Sequence, residues 1–150
     1  MASERRVVEV TGSDGRVLEA EWLARAEPVH RQLRADLPAD YGARLRTVFA
    51  NGARMSLVTE DAAVRGVAVW RVIENTCEGR RLYVDDLVTD QAHRSHGVGA
   101  TLLQHLERHA RELDCDVLAL DSGTQRSAAH RFYFRHGLVI PSFCFRKTLQ

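Results

Sequence analysis

The stretch Arg94-Ser95-His96-Gly97-Val98-Gly99-Ala100 follows a β-branched run that ends at Thr89 and opens a long amphipathic segment. The first N–H groups of a helix have no internal partner, and the helix dipole is positive there, so a helix start of this kind binds anions. Glycine at 97 and 99 removes Cβ atoms and lets a diphosphate approach the backbone closely. Arg94, at the rim, adds a planar fork suited to phosphate oxygens. A helix start merely softened by glycine would show the same residues. The pattern is neither the dinucleotide fingerprint G-x-G-x-x-G nor the P-loop G-K-[ST].

Asp85 and Asp86 interrupt the strand-like run Arg81 to Thr89. Carboxylates are disfavoured inside a central strand, so one of the two is expected to face a cavity or a partner. Strand alternation sends adjacent side chains to opposite faces. The alternative is an edge position or an ion pair to Arg80 or Arg81. His105 and His109 have metal-compatible spacing. With no H-E-x-x-H pattern and no third ligand they read as solvated surface histidines, and no metal site is expected. His93 and His96 flank the glycine loop. Cys77, Cys115 and Cys144 are odd in number without close pairing, which argues against a disulfide framework. Cys115 and Cys144 lie in apolar surroundings and read as inert core thiols.

The elements that must position these residues can be read from periodicity. Arg5 to Thr11 reads as a strand. Leu18, Trp22, Ala26, Val29, Leu33 and Leu37 recur at helical spacing, with Pro28 predicting a kink or two consecutive helices. Asp40 can cap a helix carrying Tyr41, Leu45, Val48 and Phe49 that closes at Asn51-Gly52. Arg54 to Thr59 and Val64 to Ile73 predict a hairpin turning at Glu60-Asp61-Ala62-Ala63. Arg81 to Thr89 is a fourth strand. Gly97 opens a helix with core positions Val98, Leu102, Leu106, Ala110 and Leu113. Val117 to Leu120 is a short strand, Arg126 to His136 a helix, and Val139 to Leu149 should pair as strands around Pro141. The order predicts a single α/β domain over residues 1–150, with a mostly antiparallel sheet of about six or seven strands and about four helices.

Leu87-Val88-Thr89 followed by Arg94-x-x-Gly97-x-Gly99-Ala100 resembles the acyl-CoA loop of the GNAT superfamily of N-acetyltransferases. Later in the chain, Ala129-His-Arg-Phe132-Tyr133-Phe-Arg-His-Gly137-Leu138 resembles that family's second signature. The likeness is specific over residues 80–149; earlier residues match in element order only. It implies a sheet splayed between the strand ending at Thr89 and the strand Val117 to Leu120. The pantetheine arm of acetyl-CoA would pair with backbone at Leu87, Val88 and Thr89, and the diphosphate would sit on the N–H groups of Ser95 to Ala100, Val98 included. It also implies that Tyr133 protonates the departing CoA sulfur; on its own residues Tyr133 reads as a core aromatic beside Ala129, Phe132 and His136. Where the family often has asparagine, seven residues before this tyrosine, the chain has Arg126, which could cover the CoA phosphates. Asp121 to Thr124 can cap that helix.

Acetyl transfer to an amine needs a neutral amine, a donor for the oxyanion and a proton for the thiolate. Asp85 or Asp86 could hold a cationic acceptor and take its proton, directly or through water, with Asp85 favoured for the acceptor side. An N–H near Val88 is the expected oxyanion donor. The expected activity is direct acetyl transfer to a primary amine, on a small molecule or a protein. A non-catalytic acyl-CoA sensor would keep the loop without needing Tyr133 or the acids, and a purely structural protein would have no CoA affinity.

Bulk properties fit this reading. The 150 residues are 45% hydrophobic and 27% charged, ordinary for a globular chain. Net charge of +1 disfavours nucleic acid and anionic membranes. Lys147 is the single lysine among 21 basic residues, a bias consistent with a GC-rich bacterial genome. No signal peptide or membrane span is recognised, so the cytoplasm is the expected compartment. A homodimer is a reasonable expectation from the family.

Overall fold

The computed structural model describes residues 2–150. The first compact unit, which runs to Ala119, contains most of the sheet. Its elements are β1 (Arg5–Glu9), α1 (Ala20–Leu33), α2 (Tyr41–Ala50), β2 (Arg54–Glu60), β3 (Ala63–Asn75), β4 (Gly79–Thr89) and α3 (Val98–Glu112). A short 3-10 turn, Gln91–His93, precedes α3, and β5 (Val117–Leu120) follows it. The strands lie in the order β1-β2-β3-β4-β5, and β1 through β4 are successively antiparallel.

Local chemistry accounts for most of these boundaries. Asp40 caps α2, its side chain accepting from Ala43 N at 3.0 Å. The β2–β3 hairpin turns on Asp61 (φ 49°) and Ala62 (φ 65°), the left-handed pair that matches strand twist. The helix α1 is continuous through Pro28, so the break into two helices does not occur. Burial of Leu23, Ala26, Val29 and His30 on one face sustains it despite the missing donor. The stripe predicted from Leu18 starts later, because Leu18 is exposed and follows Val17, which bridges back to Thr11.

Two apolar layers enclose the sheet. On one face α1 and α2 bury Leu23, Ala26, Val29, Tyr41, Leu45 and Phe49 against Met55, Leu57, Val67, Val69 and Val88. On the other, α3 packs on β2, β3 and β4 through Val98, Leu102, Leu103 and Leu106. Gly66 sets how closely it packs: a Cβ there would lie 2.7 Å from Val98 Cγ1 and 2.8 Å from Leu102 Cδ1. The start of α3 is therefore seated directly on the sheet.

The second unit, Leu120–Gln150, contains α4 (Ser127–Arg135) and an extended tail. The strands expected over residues 139–149 do not form, so the described residues give five strands rather than six or seven. Pro141 removes a donor and fixes φ inside that stretch. The strand-like alternation of Phe143, Phe145 and Leu149 has no ladder to join, and all three are exposed. Cys144 is exposed and Cys115 half-buried, so neither is the core thiol expected.

Candidate active site

The glycine loop is built by the end of β4 and the start of α3. Asp90, just past β4, accepts from Gln32 Nε2 at 3.1 Å and Ala92 N at 3.4 Å and pairs with His93 Nδ1 at 3.0 Å. Burial pushes its carboxyl up, but these bonds outweigh it and hold the group below the ordinary carboxylate range. Gln32 also accepts from Gln91 N at 2.9 Å, which ties the loop to the end of α1. Arg94 is extended, whereas Ser95 (φ 66°) and Gly97 (φ 79°) are both left-handed. Thr101 N makes the first intrahelical bond, to Gly97 O at 3.0 Å. The N–H groups of Val98, Gly99 and Ala100 therefore remain for an anion. Arg94, Ser95, His96 and Gly97 are exposed, Gly99 and Ala100 half-buried, and the Val98 side chain is buried beneath the helix. Leu87, Val88 and Thr89 lead into this loop, opposite Ala68, Val67 and Gly66 of β3.

The acidic pair departs from the alternation expected. Val69 pairs with Asp86 and Trp70 with Val84, leaving Asp85 as the extra residue of a bulge. The bulge brings both carboxylates to the side covered by α1 and α2. Asp85 Oδ2 is held by Arg71 Nε at 2.8 Å, and Arg71 also donates to Asn51 O at the end of α2. Asp86 Oδ1 accepts from Arg34 Nε at 2.6 Å and Oδ2 pairs with His30 Nε2 at 2.7 Å. Arg34 Nη2 donates to Asp85 O at 3.0 Å. The ion-pair partners are thus Arg71 and Arg34, not Arg80 or Arg81.

His30 and Tyr41 complete this network. His30 is 2% exposed, and its Nδ1 lies 2.9 Å from the Tyr41 hydroxyl. Burial, reinforced by the Glu27 and Asp86 charges, drives the Tyr41 phenol far above its ordinary value, so it remains a donor. The Tyr41 hydroxyl and the Asp86 carboxylate thus engage both ring nitrogens of His30. Sequence reasoning missed His30 and Arg34, although Ala26, His30 and Arg34 recur at four-residue steps.

Burial pushes the Asp86 carboxyl up, yet its bonds to His30 and Arg34 prevail and hold it below the usual value. A carboxyl depressed in the folded state contributes stability above the unfolded-chain value of about 4, and that stability is lost as pH falls through the folded value. Asp86→Ala is expected to cost about 2 kcal/mol at neutral pH by stranding the His30 and Arg34 donors. Urea unfolding should show the wild-type advantage at pH 7 shrinking below pH 4.

The second signature lies on α4. Arg126 is the N-terminal cap position but makes no side-chain capping bond. Asp121 to Thr124 do not cap the helix with a side chain either; Gly123 O instead accepts from Arg126 N at 3.0 Å and pairs with His130 Nε2 at 2.8 Å. At the other end, Leu138 N bonds Tyr133 O at 3.0 Å and Gly137 N bonds Phe134 O at 3.1 Å. With Gly137 at φ 84°, these bonds form a Schellman close that fixes the helix turn bearing Tyr133. Tyr133 is half-buried, its ring 5.5 Å from that of Phe132. Burial raises its phenol above the ordinary value, with Arg126 offsetting part of the effect.

His105 and His109 are half-buried rather than solvated. His105 Nε2 lies 2.5 Å from Glu9 Oε1, the rings stack at 5.8 Å, and His109 meets Trp70 edge-on at 5.0 Å. Among the described residues no group of three His, Cys, Asp or Glu side chains is arranged to hold a metal. No helix among them is long and apolar enough to cross a membrane.

A five-stranded sheet whose fourth strand leads through a glycine loop into a long helix is a fold shared with solved N-acetyltransferases. The aminoglycoside N-acetyltransferase AAC(6')-Iy, solved with CoA, superposes with a TM-score of 0.80 at 15% identity over 99% of this chain and 98% of that one. The ribosomal-protein-alanine N-acetyltransferase of Brucella melitensis biovar Abortus 2308 gives a TM-score of 0.77 at 13% identity over 99% and 100%. The chain belongs to the acetyltransferase (GNAT) family, whose model matches residues 17–138. It is also 34% identical over 132 residues to the uncharacterized N-acetyltransferase YhdJ of Bacillus subtilis strain 168, covering 86% of this chain and 92% of that protein. Its activity is that of an acetyl-CoA-dependent N-acetyltransferase.

Proposed function

We propose that this enzyme moves the acetyl group of acetyl-CoA to a primary amine by direct attack, as a single-domain cytoplasmic catalyst. The observation that carries the reading is the loop from Ser95 to Ala100, with two left-handed residues ahead of a helix whose first amides are unengaged. In this reading the diphosphate rests on those amides, with Arg94 and His96 at the rim and Arg126 toward the CoA phosphates. The pantetheine arm runs along Leu87, Val88 and Thr89, and an amide near Val88 receives the oxyanion.

The amine must lose its proton before attack, at a cost of about 4–5 kcal/mol for a lysine-like group at pH 7. Its nitrogen then bonds to the thioester carbon and sheds a second proton to solvent, the C–S bond breaks, the thiolate takes a proton from Tyr133, and the phenolate is reprotonated from solvent. A phenol raised by burial stays protonated past the ordinary tyrosine value of about 10, as a general acid requires. Asp85 is assigned the acceptor side. Asp86 has both oxygens committed to His30 and Arg34 and serves instead to fix α1 on the β4 bulge. Because Arg71 already pairs with Asp85, a cationic acceptor would displace a guanidinium rather than meet a free acid.

Solved structures of the same fold, named for aminoglycosides and for a ribosomal-protein alanine, support a search for the acceptor among small polyamines and protein amines. The exposed Phe143, Phe145 and Leu149 support pairing of two chains. The test is a panel of aminoglycosides, polyamines and peptides with free N-termini or lysines, followed by release of free CoA thiol. One acceptor class should release thiol well above the amine-free rate. A protein that binds acetyl-CoA yet releases thiol with none of them is the acyl-CoA-binding module instead.

A further inference from the structure

We propose that Arg5, on the first strand of the chain, is a positioning residue for the diphosphate loop, and that Glu60 holds Arg5 in place for this task. The inference rests on the acetyl-CoA reading above. Arg5 Nη2 donates to His96 O at 2.8 Å, and Nη1 donates to Thr101 Oγ1 at 3.3 Å. Thr101 Oγ1 in turn donates to Gly97 O at 3.0 Å. These contacts bracket Gly97, the left-handed residue on which the loop turns into α3. A Cβ at Gly97 would stand 3.4 Å from Arg5 Nη1.

The consequence follows from peptide planarity. A carbonyl and the next residue's N–H point in opposite directions across one rigid trans plane. Fixing His96 C=O on the guanidinium therefore aims the Gly97 N–H away from Arg5. Fixing Gly97 C=O on Thr101 aims the Val98 N–H in the same manner. Both amides stand at the helix start that receives the anion. Arg5 thus sets the direction of donors that it does not itself supply.

Glu60 explains why Arg5 holds this pose. It lies opposite Arg5 in the β1–β2 register, and its Oε1 accepts from Arg5 Nη2 at 3.0 Å while Ser3 Oγ donates to its Oε2 at 3.0 Å. Glu60 makes no contact with the loop in this network. By charge alone, a carboxylate near a diphosphate site opposes binding. By position, it strengthens binding through Arg5. The two effects have opposite signs, and that makes the claim separable from simple electrostatics.

The experiment is calorimetric titration of acetyl-CoA into wild type, Arg5→Met, Arg5→Lys and Glu60→Gln, with thermal midpoints recorded without ligand. Arg5→Met is expected to weaken binding about tenfold, with Arg5→Lys intermediate. Glu60→Gln is expected to weaken it about threefold although it removes a negative charge. The unliganded midpoints should stay close to wild type. Should Arg5→Met be too unstable to titrate, Arg5→Lys and Glu60→Gln carry the test. Unchanged affinity in the arginine variants, or unchanged or tighter binding by Glu60→Gln, overturns the positioning role while leaving the enzyme reading intact. Failure of folded wild type to bind acetyl-CoA overturns the enzyme reading and this inference with it.

Discussion

Gly99→Glu is expected to weaken acetyl-CoA binding at least about a hundredfold while leaving a folded protein. Gly99 is the second residue of α3, where the first amides have no intrahelical partner. A glutamate there sets a fixed negative charge where the diphosphate charge must rest. The substitution does not threaten the helix, because replacing glycine raises helix propensity and an acid in the first turn suits the dipole. A ligand at about a hundred times its dissociation constant should raise the wild-type thermal midpoint by about 5–10 °C. The variant should melt at or above the unliganded wild-type midpoint and rise by no more than about 1–2 °C with acetyl-CoA. A rise equal to wild type would detach the loop from CoA binding.

Tyr133→Phe separates chemistry from binding. The ring, its half-buried setting against Phe132 and the Gly137 helix close are all retained, and only the hydroxyl is lost. Acetyl-CoA affinity should therefore match wild type. Turnover with an identified acceptor should fall about a hundredfold, the scale of a lost general acid. Single-turnover kinetics must show that chemistry limits the rate. Under that condition, normal turnover in the variant would remove the proton-donor assignment.

The parts of the fold legible in the sequence were those set by local chemistry. The Asp40 cap, the turn at Asp61 and Ala62, and the glycine-opened start of α3 each depend on residues a few positions apart. The position of the glycine loop was readable for the same reason, since a strand end, two glycines and an amphipathic helix occur in direct succession. The acidic pair was found but misaimed. Alternation assumes an unbroken ladder, and the bulge at Asp85 is a property of how β3 and β4 pair.

The groups that hold the site together were the least visible. His30 reads as one more residue beside a helical stripe until α1 is laid against β4 and its ring meets Asp86. Arg5 is remote in sequence from His96 and carries no local signal of its contact with the loop. The tail fails in the opposite sense: the alternation of Phe143, Phe145 and Leu149 is a strand pattern, but a strand exists only where a neighbour supplies its hydrogen bonds.

Calorimetric titration of acetyl-CoA into the wild-type protein at neutral pH tests whether the protein takes acetyl-CoA as its acetyl donor. Saturable one-to-one binding with a dissociation constant on the order of micromolar is expected. Absence of binding by folded protein, at concentrations able to detect a constant of about 1 mM, would contradict it.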